Sequence, residues 1–219
     1  MNLVTIALSR LHYPVTVLGP GKRIGIWLQG CSNRCPGCIS RDTWEVSEGH
    51  RLDIRTIISQ CIAYEKEGID GITISGGEPF EQSEALEKLL IGLHDWTDSL
   101  QHPIDYLCYS GKSYDEIAQK YPNLLKYLDV LIPEPFREEL PIRPLRGSSN
   151  QPIICLTELG RNRFTPHLDE DCTQSAKQMQ FVMDGESVWF IGIPDRGDMK
   201  TMTERCKASG LTIQNVSWE

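Results

Sequence analysis

The strongest constraint on this chain is an alternation that runs from residue 24 to residue 132. Residues 24–28 form a short apolar run, and Ile54, Ile57, Ile58, Cys61 and Ile62 follow at the spacing of one helix face. Residues 71–75 are β-branched and precede Ala85, Leu86, Leu89, Leu90 and Leu93, spaced the same way. Asp105–Tyr109 precedes a helix predicted over 113–120, and Val130–Ile132 is the next short run. Strands alternating with amphipathic helices predict parallel βαβ units, because a parallel pair needs a long crossover and a helix supplies it. Ligands of such folds gather at the carboxyl ends of the strands. Two unusual segments lie at such ends, one after Leu28 and one after Ser75.

Outside this stretch the signals are shorter. Residues 3–8 predict a strand, and Gly19-Pro20-Gly21 predicts a turn. Pro133, Pro135, Pro141 and Pro144 exclude regular structure and predict a stiff loop. Strands are expected over 153–156, 180–183, 188–191 and 211–216, with a helix that starts at Asp198 and stops at Gly210. The polar segment 157–178 has no clear core pattern and, like 133–144, is a candidate docking loop.

Composition narrows the classes. The 219 residues are 40% hydrophobic and 24% charged, which excludes overall disorder and suits one domain. Twenty-two Lys and Arg against thirty Asp and Glu leave a net charge of −8, which argues against nucleic-acid and anionic-membrane partners. No apolar run approaches bilayer length and the first residues lack a basic signal region, so a cytoplasmic location with no membrane contact is expected.

In a reducing compartment, clustered cysteines point to metal or redox chemistry and not to disulfides. Of eight cysteines, Cys31, Cys35 and Cys38 share one tight loop. Cys61, Cys108, Cys155, Cys172 and Cys206 are scattered and read as small buried hydrophobes. Closed zinc and iron–sulfur sites usually take four ligands. Three suit a 4Fe-4S cubane with one iron left open. Zinc completed by a distant His or Cys, and three unrelated core thiols, are the alternatives.

The C-x3-C-x2-C spacing resembles the signature of the radical S-adenosylmethionine (SAM) superfamily. The resemblance implies that Cys31, Cys35 and Cys38 hold one 4Fe-4S cluster, whose fourth iron is chelated by SAM. The residue before the third cysteine is often aromatic in that superfamily; here it is Gly37. Cys35-Pro36-Gly37-Cys38 is similar to the activating enzymes of class III anaerobic ribonucleotide reductase. Downstream, Ser75-Gly76-Gly77-Glu78-Pro79 resembles the Gly-Gly-Glu-Pro element at the end of the second barrel strand. Paired glycines let a backbone approach a ligand closely. The resemblance therefore places Gly76, Gly77, Glu78 and Pro79 on SAM, with Glu78 accepting from its ammonium group. On this reading Gly77 serves SAM and not the cluster.

Further segments narrow the branch. Residues 19–23, running into Leu28-Gln29-Gly30-Cys31, are similar to the lead-in of glycyl-radical activases, and 107–111 resemble the strand end that brings Ser110 toward the adenosine. Residues 146–151 resemble that branch's Arg-Gly-Ser-x-Asn-Gln stretch and imply that Ser148 and Asn150 reach the methionine carboxylate or a ribose, with a plain turn as the equal alternative. Residues 190–194 match the late strand beside adenine no better than they match a buried strand with a Gly-Pro turn. One departure stands out: Pro133-Glu134-Pro135-Phe136 replaces the Asp-Gly-Pro-Phe of that branch.

The resemblance implies an α/β fold, a partial, open parallel (βα)6-type barrel in a single radical SAM domain over 1–219. Its core would be 11–155, with closing strands and a terminal helix over 156–219. It also implies an oxidoreductase in which one electron splits SAM into methionine and a 5′-deoxyadenosyl radical. That radical would take hydrogen from a glycine of a partner glycyl-radical enzyme, and flavodoxin or ferredoxin would be the external electron donor. A different radical SAM target (a peptide, an RNA base or a small metabolite) is the enzymatic alternative. An iron–sulfur electron-transfer or zinc-structured module is the non-enzymatic one. The cleavage needs no general acid or base, and His12, His50, His94, His102 and His167 share no ligand spacing.

Overall fold

A computed structural model describes residues 3–167 and 179–217, apart from positions 186, 212 and 215. The first half holds β1 (Thr5–Val15), β2 (Arg23–Leu28), β3 (Arg51–Asp53), α1 (Ile54–Ile62), β4 (Gly71–Gly76) and α2 (Ser83–Thr97). Then come β5 (Asp105–Tyr109), α3 (Tyr114–Lys120), β6 (Val130–Ile132), β7 (Ile154–Cys155) and α4 (Glu158–Phe164). The chain continues through β8 (Gln180–Asp184), β9 (Ser187–Ile191) and α5 (Asp198–Ala208).

Seven strands form one sheet in the order β3-β1-β2-β4-β5-β6-β7, and β8 pairs with β9 separately. The centre is parallel: β2 with β4, β4 with β5, and β5 with β6. Its flanks are antiparallel, β1 against β2 and β7 against β6. The fold is thus mixed α/β around a mostly parallel sheet. Six parallel units were expected, and the described residues hold four parallel strands. The link from β1 to β2 is only residues 16–22, too short for a crossover, so β2 has to return antiparallel. The proline-rich link after β6 contains no helix, and β7 likewise returns antiparallel.

The central strands bury both faces, as parallel strands do. Ile24, Ile26, Leu28, Ile72, Ile74 and Cys108 pack with Ile57 and Cys61 of α1 and with Leu86, Leu89, Leu90 and Leu93 of α2. Each leucine buried in this way contributes about 1.5–3 kcal/mol. The alternate residues face the other side, where Leu107, Val130 and Ile132 pack on Phe164 of α4. Helix starts are capped by side chains: Asp53 for α1, Ser113 for α3 and Thr157 for α4.

At the amino ends of the parallel strands, Arg23 is fully buried and its guanidinium meets the Asp105 carboxylate at 2.5 Å. It also donates to Thr73 Oγ1 at 2.6 Å and to the Ile72 carbonyl at 2.9 Å. Arg163 of α4 joins Asp105 at 2.7 Å. A Cβ on Gly71 would stand 2.2 Å from Arg23 Nη1, which explains the glycine that begins β4.

Two expectations are corrected. Segment 157–178 contains α4, whose Phe164 is fully buried; residues 168–178, with Cys172, lie outside the described set. The described positions of 211–216 carry no strand.

Candidate functional site

A cavity of about 610 Å³ lies at the carboxyl ends of the parallel strands. Cys31, Cys35, Gly37 and Cys38 line it together with Gly76, Gly77, Glu78 and Ser110. These residues come from three different strand ends, so only the sheet brings them together.

The chain after β2 is held from below. Buried Gln29 donates from Nε2 to the carbonyls of Asp42 at 2.7 Å and Glu45 at 2.6 Å. The Gly30 N–H reaches the Thr43 carbonyl at 2.7 Å, and the Cys31 N–H reaches the Trp44 carbonyl at 3.0 Å. From the other side, the Gly77 N–H donates to the Leu28 carbonyl and the Glu78 N–H to the Gly30 carbonyl, both at 2.8 Å. A Cβ on Gly77 would lie 2.1 Å from the Gly30 carbonyl oxygen. The glycine therefore permits the turn after β4 to press on the backbone that leads into Cys31. Beside the SAM role expected of it, Gly77 thus bears on the backbone that leads into the cysteine loop.

Glu78 is 1% exposed, and its carboxylate is engaged by the protein. Oε1 accepts from Ser110 Oγ at 2.8 Å and from the Phe80 N–H at 3.1 Å. Oε2 accepts from the Gly111 N–H at 2.7 Å and from Asn33 Nδ2 at 3.1 Å. Burial pushes its pKa up, and the bonds from Ser110, Phe80 and Gly111 oppose that rise. Four donors fill the oxygens expected to receive an ammonium group. The carboxylate, which lines the cavity, ties the cysteine loop, the turn after β4 and the end of β5 together.

Burial also raises the three thiols. Backbone N–H groups oppose the rise: those of Arg34 and Asn33 at Cys31, Phe136 at Cys35, and Ser40 at Cys38, the last at 3.4 Å. The side chain of Trp44 beside Cys38 opposes the rise as well. The buried Nε of Arg41 on the cavity lining has no hydrogen-bond partner among the described residues. Three soft donors with N–H groups aimed at them, beside an unmatched cationic donor, fit an anionic iron–sulfur cluster. No three His, Cys, Asp or Glu side chains among the described residues close on a single ion.

Pro79, Ser148 and Asn150 do not line the cavity. Pro79 begins the 3-10 turn Pro79–Gln82. Ser148 is fully buried, accepts from the Arg137 N–H at 3.1 Å and anchors Gln151, while Asn150 Nδ2 donates to the Pro135 carbonyl at 2.9 Å. Both serve the turn, and Gly147 and Gln151 reach the cavity in their place. Ser110 does line it, but its hydroxyl is given to Glu78.

Sequence reasoning missed Arg41, Trp44 and Glu134 as lining residues. The Glu134 signal was the departure from Asp-Gly-Pro-Phe: it has φ +82°, a region that favours glycine, and its carboxylate accepts from the Tyr114 N–H at 3.3 Å. Of the scattered cysteines, Cys61 and Cys108 are fully buried, and burial pushes the Cys61 thiol up to about 12. Cys155 and Cys206 are half-buried.

Residues 17–154 match the family model described as a 4Fe-4S single cluster domain. The anaerobic ribonucleoside-triphosphate reductase-activating protein of Enterobacteria phage T4 is 32% identical over 143 residues, which are 65% of this chain and 89% of that protein. The chain belongs to the radical SAM activase family. The protein of the same name from Vibrio cholerae is 31% identical over 148 residues, covering 65% of this chain and 94% of the relative. The pyruvate formate-lyase-activating enzyme of Listeria monocytogenes is 29% identical over 177 residues, 74% and 68% of the two chains. Among solved structures, QueE from Escherichia coli overlaps 49% of this chain and 52% of its own at a TM-score of 0.37 and 18% identity, too loose to carry weight. As a radical SAM activase, the protein is an enzyme whose cofactors are a 4Fe-4S cluster and SAM. The cavity wall formed by residues 190–197 lies beyond the matched stretch. No helix among the described residues is long and apolar enough to cross a membrane.

Proposed function

We propose that this activase acts on a backbone glycine of a partner glycyl-radical enzyme of the anaerobic ribonucleotide reductase kind. A 4Fe-4S cluster bound here would supply the one electron for reductive cleavage of SAM to methionine and a 5′-deoxyadenosyl radical, the species that would take the hydrogen atom from the glycine. Cys31, Cys35 and Cys38 would hold that cluster. Gly76 and Gly77 present backbone to SAM, while Glu78 keeps their turn and the end of β5 in register with the cysteine loop. The observation that carries this reading is the meeting of the three thiols and the Gly-Gly-Glu turn on one cavity.

The remaining parts of the reading follow from it. The chain forms one domain over 1–219, with 11–155 as its core, and its sheet curves as an open partial barrel whose uncovered end receives a protein loop. Flavodoxin or ferredoxin supplies the electron, and the protein works in the cytoplasm. The test mixes the reduced, cluster-loaded protein, SAM and the candidate partner under anoxia and records the electron resonance spectrum. A glycyl doublet on the partner is expected. Efficient turnover of a small metabolite with no protein substrate would favour the alternative target class, and failure to cleave SAM would favour an electron-transfer module.

A further inference from the structure

Arg41 stands on the cavity wall shortly after Cys38, on backbone that is pinned from two sides. Its N–H donates to the Ser217 carbonyl at 3.2 Å, and the Ser217 hydroxyl donates to the Ile39 carbonyl at 2.7 Å. Its own carbonyl accepts from the Trp44 N–H at 3.1 Å, which closes the 3-10 turn Arg41–Thr43. The guanidinium carbon lies 5.8 Å from the centroid of the Trp44 ring, within cation–π range. In this position the buried Nε has no hydrogen-bond partner among the described residues. The adjacent acids are engaged elsewhere: Asp42 pairs with Arg10 at 2.6 Å, and Glu45 pairs with Arg34. Of the other cations on the wall, Arg196 donates to the Leu140 carbonyl and Lys200 is exposed on α5. An unpaired buried donor on a cation is costly, so the Arg41 side chain is poised to turn toward an anion that enters the cavity.

Two negative groups belong in this cavity, the cluster and the carboxylate of SAM, and the shape of the donor chooses between them. Nε and one Nη of a guanidinium give two parallel N–H bonds, which match the two oxygens of a carboxylate and not the single sulfur corners of a cubane. The acids Glu78, Glu134 and Glu138 line the same cavity and would repel that carboxylate, so a cation is needed to receive it. We propose that Arg41 binds the methionine carboxylate of SAM through Nε and one Nη, with Ser217 fixing the backbone from which it reaches. A small rotation of the guanidinium on the Trp44 face toward the cavity gives Nε its missing partner. The inference rests on the reading that SAM occupies this cavity beside the cysteine loop, and it names the group that recognises the amino-acid end of SAM.

The experiment measures equilibrium binding of SAM, decarboxylated SAM and 5′-methylthioadenosine to the cluster-loaded protein under anoxia, with iron and sulfide determined on the same samples. Decarboxylated SAM keeps the sulfonium, the amine and the adenosine, whereas methylthioadenosine lacks the whole amino-acid end. Arg41→Gln should weaken SAM about ten- to hundredfold, as the loss of a charge-assisted pair does, with iron and sulfide unchanged. The same variant should bind both analogues as the wild type does. Arg41→Lys keeps the charge without the fork and should recover only part of the SAM affinity. Unchanged SAM affinity in Arg41→Gln overturns the proposal. An equal loss for both analogues also overturns it, because the side chain would then serve the adenosine site or the fold. Loss of iron from both variants overturns it by assigning the guanidinium to the cluster. A cluster-loaded wild type that binds neither SAM nor methylthioadenosine overturns the reading of the cavity and this inference together.

Discussion

Gly111 donates its backbone N–H to the carboxylate of Glu78 at 2.7 Å, tying the end of β5 to the turn that follows β4. The same carboxylate takes Asn33 from the cysteine loop and Ser110 from the residue after β5. One buried anion thus sets the spacing of three loops, each from a different strand end. Its job is geometric, since a shift in any loop would leave one of its donors unpaired.

Glu78→Gln turns one acceptor oxygen into an NH₂ group that faces a donor. The loss should be about 1–3 kcal/mol of stability in urea denaturation under anoxia, accompanied by weaker SAM binding. The pH dependence has a definite sign. Burial raises this carboxyl above its ordinary 4.5, so the folded state holds the proton more tightly than the unfolded state does. Stability should therefore fall as pH rises from 4.5 through the raised value, and Glu78→Gln should remove that fall.

Gly77→Ala should damage cluster and SAM binding together. The new Cβ would meet the Gly30 carbonyl oxygen at 2.1 Å, and backbone cannot rotate away as a side chain can. Overpacking of this kind costs about 1–3 kcal/mol, so SAM affinity should drop roughly tenfold and iron content should fall with it. Calorimetry and iron analysis on one preparation separate the two effects. Normal iron with lost SAM binding would mean that the turn gives way without moving Cys31.

Single Cys→Ala variants at 31, 35 and 38 should each lose the cluster, read as iron, sulfide and the reduced-cluster resonance. Cys61→Ala and Cys108→Ala should keep it, because both thiols are buried in the helix-covered core. They should instead lose stability by about 1 kcal/mol through the small cavity each leaves.

Arg23→Met should cost about 3–5 kcal/mol, toward the lower figure because Arg163 still accompanies Asp105. The double variant Arg23→Met/Asp105→Leu should recover part of that loss. Arg23 begins β2 whereas the cysteines follow its last residue, so the cluster spectrum should not change. Thermal unfolding and the resonance spectrum check the two halves of this expectation.

Much of this was legible in the sequence, wherever neighbouring residues decide the outcome. The helix stripes at Ile54–Ile62 and 85–93, the strand Asp105–Tyr109 and the turn after β4 depend on local periodicity and glycine placement, which a single chain displays. The three clustered thiols were visible for the same reason. The helix Glu158–Phe164 was missed because its polar faces hide one deeply buried anchor, Phe164, whose pocket is built by β5 and β6.

By itself the sequence determined the metal-type donor set, the Gly-Gly turn and the alternation that places both at strand ends, all properties of residues within a few positions of one another. Only the tertiary structure decided what those residues touch. It made Glu78 a clamp between three loops, placed Ser148 and Asn150 in a turn off the cavity, and brought Trp44 and Glu134 to the cavity. The physical reason is that a hydrogen bond or a steric contact joins atoms from separate strand ends, and periodicity along one chain carries no record of which ends the sheet will set side by side.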